Sequence, residues 1–442
     1  MELDVVSNTG DSGTQVGSYF VANYPPFAVW SADHIPEVDR ALDARPTGPN
    51  VPALGLYLHI PFCRKRCKFC YFRVYTDRNA ADIERYLAAL AREIELYARQ
   101  PQFAGRQFEF AYFGGGTPSY LSSDQLCHLV ERINRHWSWD QAREVTFECE
   151  PGTLKKSKLE TIRAIGVTRL SLGIEHFDDA ILELNGRAHK SPEIGRAYHW
   201  ARQVGFDQIN IDLIAGMVGD TDDTWRRTVD RALALAPDSL TVYQMEVPHN
   251  SLIARQTGAS GTTPVADWTT KRAWVDYAFR TFEQNGYQVS SAYTVTRSNG
   301  DGAFVYRDAL WHGADMVGTG VASFSYVDGV HYQNADAWEA YVNALEDGQL
   351  PLARALRATR DQQLIRELVL QLKLGAVDPR YFETRFGVNL HHRFADALAS
   401  LRRDGMVNNT VDTIELTRAG LLQVDGLLPR FFEPEHRRIR ST

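Results

Sequence analysis

The sequence predicts an α/β protein: a partial (β/α)6 TIM-like barrel of parallel strands, followed by a mostly helical, winged-helix-like C-terminal domain. Three observations predict it. From Leu54 to about residue 245, short apolar strand patterns alternate with helical patterns, as βαβ units of a parallel sheet do. Each polar motif in that stretch follows a strand, where a barrel places its chemistry. After about residue 360 the texture becomes helix, helix, short strand, turn, strand, helix. A length of 442 residues fits two or three domains. The expected division is an N-terminal aromatic arm over 1–50, the barrel over 51–300, a connecting segment over 301–360 that completes the core, and the terminal domain over 361–442.

Residues 1–50 are rich in Gly, Pro, Ser and Asp and read as an irregular arm. Its aromatics, among them Tyr19, Phe20, Tyr24, Phe27 and Trp30, either pack the arm onto the body or make it an active-site cover. The run Leu54 to Ile60, ended by Pro61, is a buried strand. Ile83, Tyr86, Leu87, Leu90, Ile94 and Tyr97 recur at helical spacing. Phe108 to Phe113 is a strand that runs into Gly114-Gly115-Gly116. Ser122 and Gln125 have capping-box spacing at the start of a helix. Further strands are Glu144 to Glu148, Arg169 to Ile174, Gln208 to Ile214 and Ser239 to Tyr243, with helical stretches between them. Helix resumes at Leu364 to Leu372, and a turn at Asp404-Gly405 precedes a strand over Thr413 to Thr417.

Composition narrows the function. Hydrophobic (44%) and charged (23%) fractions are ordinary for a globular chain. A net charge of −7 argues against a chain-wide nucleic-acid surface. No run of about 18 apolar residues is present, so no spanning helix is expected, and the first residues lack a leader pattern. The expected location is the cytoplasm. Five cysteines exclude a disulfide scaffold, and three of them, Cys63, Cys67 and Cys70, fall in one C-x3-C-x2-C cluster after a strand.

Three thiolates on one loop grip a soft metal centre. Structural zinc wants four ligands, usually in pairs, and His59, in a strand, is the nearest candidate fourth. Three ligands on a four-iron cluster leave one iron open, as a reactive metal site requires. Cys127 and Cys149 stand alone and read as buried small apolar residues.

At this point the chain resembles the radical S-adenosylmethionine superfamily. Tyr57-Leu58-His59-Ile60-Pro61-Phe62-Cys63 is similar to the motif that opens the cysteine loop in the HemN-like, oxygen-independent coproporphyrinogen III dehydrogenase group. Phe113 to Pro118, Glu148 to Thr153, Gly166 to Glu175, Gly186 to His189, Asn210 to Gly216 and Gly318 to Ser323 resemble further motifs of that group in the same order. The likeness spans roughly residues 50–430. It implies a [4Fe-4S] cluster on Cys63, Cys67 and Cys70. It also implies S-adenosylmethionine, two molecules per chain, reductively cleaved to a 5′-deoxyadenosyl radical that abstracts hydrogen. Gly115, Gly116 and Thr117 would lie against the cofactor, and Tyr57 and Glu148 would also contact it. Arg187 and Asp212 would belong to the second cofactor site, with Phe69 and Met245 packing the cofactors.

The departures shape the functional expectation. The dehydrogenase resembles C-x3-C-x2-C-x-C, whereas here Phe72 stands where the last cysteine would be. Glu175 replaces a frequent Gln, adding an acid to the cofactor-binding set. Gln244, Glu246 and His249 are polar at a strand end that faces substrate. These changes point to the class C methyltransferase and cyclopropanase branch. There a second S-adenosylmethionine donates a methyl or methylene group to an sp2 carbon of a small natural product, and Glu175 or Glu246 is the catalytic base. The alternatives are coproporphyrinogen III oxidation or another porphyrin- or heme-processing reaction, and a heme chaperone using His59, His189, His249 and His312. A zinc-stabilised DNA-binding winged helix is the remaining one. Arg64, Lys65, Arg66 and Lys68 form a basic knot suited to an acidic electron donor of flavodoxin or ferredoxin type. The expected partners are that donor and a small-molecule substrate, without nucleic acid or membrane, and the chain is expected to be a monomer.

Overall fold

The structure, a computed structural model, describes residues 20–48, 51–248, 251–255, 265–298, 303–408, 410, 412–437 and 439. Six parallel strands follow one another in sheet order as well as in sequence: β1 (Leu54–Ile60), β2 (Phe108–Gly115), β3 (Glu144–Cys149), β4 (Arg169–Glu175), β5 (Gln208–Ala215) and β6 (Ser239–Gln244). A helix crosses back between each pair, as parallel pairing demands. The strands are buried on both faces, so they read as near-continuous apolar runs.

The sheet does not stop at six strands. After β6 come β7 (Tyr287–Val289) and β8 (Thr294–Arg297), then β9 (Asp315–Thr319), β10 (Phe324–Val327), β11 (Val330–Asn334) and β12 (Leu352–Arg357). β8 adds antiparallel to β6, and β9 lies parallel beside β1 with Leu56 opposite Val317. β10 to β12 continue antiparallel beyond β9. β9 to β12 therefore extend the sheet past β1, with the helices Val305–Trp311 and Trp338–Glu346 in the same stretch.

The floor of the barrel is aromatic. Tyr57 and Tyr112 stack at 5.9 Å, and Tyr306 packs on Tyr112 at 4.4 Å and edge-on against Phe110. A side chain at Gly55 would fall 1.9 Å from the Phe110 ring, so glycine is required there. The helix Ala80–Ala98 buries Ile83, Tyr86, Leu87, Leu90, Ile94 and Tyr97 along one face. Ser122 and Gln125 form the expected capping box. The same Ala80–Ala98 helix also buries Glu93, which accepts from Gly320 N–H (2.8 Å), the Tyr341 hydroxyl (2.6 Å) and Asn334 Nδ2 (2.6 Å).

The C-terminal region follows a winged-helix order. The helices Arg360–Leu372, Pro379–Phe386 and Ala395–Arg403 enclose an apolar cluster of their own, beside the strand pair β13 (Ala376–Val377) and β14 (Ile414–Glu415). The arm is less irregular than its composition predicts. Ile35–Asp43 is a helix that buries Val38, Ala41 and Leu42 in the main core, and Ser31 bridges to Ala355 of β12. Apolar spacing at 38, 41 and 42 was the signal, hidden among Gly and Pro neighbours. Before it, Tyr24 packs on Phe432 and hydrogen-bonds Glu433 (2.9 Å) of the C-terminal region.

Candidate active site

The cysteine loop leaves β1 and is clamped from three sides. Cys63 N–H donates to Tyr75 O (3.0 Å), and Lys68 N–H to Asn185 O (3.0 Å). Gly116 N–H and Thr117 N–H donate to Ile60 O and Phe62 O. A side chain at Gly115 (φ +107°) would strike the His59 ring at 2.4 Å, and one at Gly116 the backbone of residues 60–62 at 2.8 Å. The glycines thus let the turn after β2 close on the loop.

The sulfurs have donors waiting. Thr117 Oγ1 lies 3.4 Å from Cys63 Sγ, Arg187 Nη1 lies 3.3 Å from Cys67 Sγ, and the Phe72 N–H points to the Cys70 thiol. Hydrogen bonds and positive charge of this kind stabilise thiolate ligands. Arg187 Nε is buried without a partner. Burial pushes Cys63 up to about 12 and Cys70 to about 11, so metal ligation would release their protons. Among the described residues no three His, Cys, Asp or Glu side chains converge on a single-ion point. A four-iron cluster does not ask for one, because each thiolate takes its own iron. The donor set fits a cluster. His59 turns instead to the Tyr57 hydroxyl (3.2 Å) and Arg73 O (3.4 Å).

Carboxylates ring the strand ends. Glu148 on β3 accepts from the Tyr112 hydroxyl (2.7 Å) and Gly115 N–H (3.1 Å). Burial raises it to about 7, and Asp212 adds to the rise. Asp212 on β5 is raised by burial and held by Ser171 (2.8 Å) and Asn210 (2.9 Å). Glu175 ends β4, 3.4 Å from Arg187 Nη2. Burial lifts it to about 7; Arg187 opposes the rise, while Asp212 and Glu148 reinforce it.

Glu175 also carries backbone strain. Its φ is +65°, and His176 N–H donates back to Ile174 O (2.8 Å), closing a three-residue turn. That geometry costs energy for a residue with a side chain and persists only when neighbours enforce it. The enforcing neighbours are His176, which is fully buried against Asp220 (3.3 Å) and Thr228 (3.1 Å), and Arg187, which donates to Gly173 O (2.6 Å).

Glu246 lies beyond β6. Burial raises it to about 7, and Phe20 N–H of the arm donates to it at 2.6 Å. Phe20 sits over Lys373 Nζ at 3.7 Å, and Lys373 pairs with Asp425 at 2.9 Å. The arm therefore both packs by its rings and covers a site carboxylate. Met245 is buried with Ile181, Ile214, Met217 and Ile253, and Phe69 packs onto that cluster. Gln244 donates to Leu422 O (2.9 Å), tying the strand end to the C-terminal region. His249 lies outside the described residues. His59, His189 and His312 are dispersed: His312 is exposed beside Tyr381, while the other two are buried in separate networks.

Sequence reasoning missed a second layer. Arg64 grips Glu150 with two hydrogen bonds (3.1 and 3.0 Å), and His189 Nδ1 lies 3.1 Å from the same carboxylate. Burial raises Glu150, but His189 and Arg64 override it and hold the carboxyl at about 2. His189 is itself lowered, chiefly by burial, so Arg64 supplies the balancing charge. An acid at the end of β3 was the available signal.

Three cysteines after β1, their donors from the loops after β2 and β4, and acids on four strands form one site. Residues 57–232 match the Radical SAM superfamily. Likeness to known proteins extends beyond those residues. It is 28% identical to the oxygen-independent coproporphyrinogen III oxidase of Escherichia coli over 85% of this chain and 84% of that one. The Pseudomonas aeruginosa enzyme of that name is 28% identical over 97% and 95%. The heme chaperone HemW of Bacillus subtilis is 27% identical over 83% and 96%. The solved structure of E. coli coproporphyrinogen III oxidase, described as a Radical SAM enzyme, superposes with a TM-score of 0.81 at 26% identity, covering 93% and 96%. These relatives do not support the methyltransferase and cyclopropanase expectation; the porphyrin and heme readings set beside it fit better. No helix among the described residues is long and apolar enough to cross a membrane.

Proposed function

We propose that this chain is a radical SAM oxidoreductase that removes a hydrogen atom from a propionate side chain of a reduced tetrapyrrole; the substrate radical then loses CO2 and passes one electron to an external one-electron acceptor, leaving a vinyl group. The observation that carries the reading is length-wide likeness. The solved structure of the E. coli oxidase superposes over 93% of this chain and 96% of that one with a TM-score of 0.81, which supports the oxidase reading.

A [4Fe-4S] cluster with S-adenosylmethionine supplies, when bound, hydrogen-atom abstraction from an unactivated carbon. Cys63, Cys67 and Cys70 would hold the cluster, with Thr117 and Arg187 donating to the sulfurs. Glu148, Asp212 and Arg187 are the groups suited to the amino, hydroxyl and carboxylate groups of S-adenosylmethionine, two molecules of which the site would take. Glu175 and Glu246 titrate near neutrality and, when ionised, would accept from substrate. The aromatic floor of Tyr57, Tyr112 and Tyr306 excludes water from below. Arg64, Lys65, Arg66 and Lys68 would meet an acidic electron donor.

Anaerobic reaction of the reconstituted enzyme with coproporphyrinogen III, methyl-labelled S-adenosylmethionine, a one-electron reductant for the cluster and a one-electron acceptor tests the reading. Release of CO2 with 5′-deoxyadenosine and unlabelled product is expected. Transfer of label to product, or cofactor cleavage without CO2, overturns it.

A further inference from the structure

Six large apolar side chains are exposed among the described residues: Val51, Tyr71, Phe72, Leu184, Tyr243 and Leu252. Tyr71 and Phe72 stand on the cysteine loop and Tyr243 near the end of β6, while Leu184 and Leu252 are helical. Three are aromatic, at 40%, 46% and 42% exposure for Tyr71, Phe72 and Tyr243. Exposed aromatic area gathered at one mouth marks a binding surface rather than scattered surface residues.

Their mutual placement is ordered. The Tyr71 and Phe72 rings stack with centroids 4.6 Å apart and planes 29° apart. The Phe72 N–H points to the Cys70 thiol, which fixes the pair to the cysteine loop. The Tyr71 hydroxyl lies within electrostatic reach of Glu246 and Cys70. Tyr243 lies within reach of Tyr71, Glu175, Glu148 and Asp212, and stacks on Tyr293 at 6.5 Å.

Exposed aromatic faces with acids nearby recognise a particular chemistry. A flat ring face stacks on aromatic side chains. Carboxylates beside them accept from N–H donors and repel an anionic group. A pyrrole offers a ring face with one N–H in its plane, and a tetrapyrrole offers four, all turned inward, with its carboxylates at the periphery.

Resting on the function proposed above, we propose that Tyr71, Phe72 and Tyr243 form a stacking platform that selects the substrate by its pyrrole faces, with Glu175 and Glu246 accepting from pyrrole N–H groups. Tyr71 and Tyr243 set the platform's two sides, and the carboxylates set which edge of the ring enters.

The test is binding of coproporphyrin III to the cluster-reconstituted full chain with S-adenosylmethionine, followed by absorbance shift and fluorescence quenching. Phe72→Ala weakens binding by about 5- to 10-fold, Phe72→Trp restores it, and Tyr243→Leu weakens it to a similar degree, in line with the worth of one stacking contact. Iron content reports whether each variant is intact. If Phe72→Ala disturbs the cysteine loop, Tyr243→Leu, on β6, decides alone. Wild-type chain that binds coproporphyrin while Phe72→Ala and Tyr243→Leu bind within twofold overturns the platform and leaves the proposed function standing. Wild-type chain that cleaves S-adenosylmethionine but binds no tetrapyrrole overturns the proposed function, and the platform's ligand with it.

Discussion

Glu175→Gln removes a titrating charge from the barrel mouth while keeping the side chain's size. In the folded chain burial lifts this carboxyl from 4.5 to about 7, with Asp212 and Glu148 as like-charged neighbours and Arg187 pulling the other way. That rise is worth about 3 kcal/mol, at about 1.4 kcal/mol per pH unit. The folded chain binds this proton more tightly than the unfolded chain does. The stabilising contribution of Glu175 is therefore complete below pH 4.5 and is lost as pH rises through about 7. Glutamine has no such loss. About 3 kcal/mol is the ceiling, because Glu148 and Asp212 share the titration and relax when one of the three is neutralised.

The assay is apparent unfolding temperature for both chains at equal iron content, from about pH 5 to about pH 8. One kcal/mol moves the midpoint by roughly 2–4 °C in domains of about 200 residues, and by less in a longer chain. The variant should gain on the wild type by several degrees across that window, most steeply midway between pH 4.5 and about 7 and levelling off above that. Cofactor-dependent turnover gives a second reading: if Glu175 accepts a proton, wild-type rates rise with pH through about 7 and the variant's rates stay flat and low. A constant offset between the two chains at every pH would refute the reasoning, since it would mean Glu175 is ionised throughout.

Three further predictions follow from the site. Cys67→Ala abolishes bound iron, whereas Cys127→Ala leaves iron content intact, as metal analysis after reconstitution will report. Glu150→Gln destabilises the chain by about 2 kcal/mol near neutrality, discounted for the exposed Arg64 partner. Because the Glu150 carboxyl is held at about 2, its contribution is present above pH 4.5 and is lost as pH falls toward 2, so urea midpoints of the two chains should converge on acidification. Reversing Lys65 and Arg66 to Glu slows flavodoxin-driven turnover by about tenfold or more at low salt and flattens its salt dependence, while dithionite-driven turnover stays unchanged.

The parts that were legible in the sequence are those whose cause is local. Leu54–Ile60 was readable to the residue because a parallel strand buried on both faces is an unbroken apolar run. The three cysteines share one loop, so their spacing carries their chemistry. β10 and β11 alternate aromatic or branched residues with polar ones, as at Phe324–Val327 and Val330–Asn334, but such short runs among loops do not stand out. Long-range partners had no local trace. Thr117 reaches Cys63 across 54 residues, Arg187 reaches Cys67 across 120, and Phe20 reaches Glu246 across 226. The strain at Glu175 was also invisible, because it arises from the packing of His176 against Asp220 and Thr228, not from the residue's own propensity.

These long-range contacts separate the two acids that the sequence treats alike. Glu246 already accepts a 2.6 Å hydrogen bond from the arm and has Lys271 and Lys373 within electrostatic reach. It can accept from a substrate only through its remaining lone pairs or after the Phe20 contact opens. Glu175 has one cationic neighbour, Arg187, which is itself engaged with Cys67 and Gly173. Its strained turn aims a carboxyl that titrates near neutrality into the space between the cysteine loop and β5. Strain of this kind is retained where position matters more than stability. Of the two, Glu175 is the one we propose for proton transfer. Glu246 is tied to the arm through Phe20.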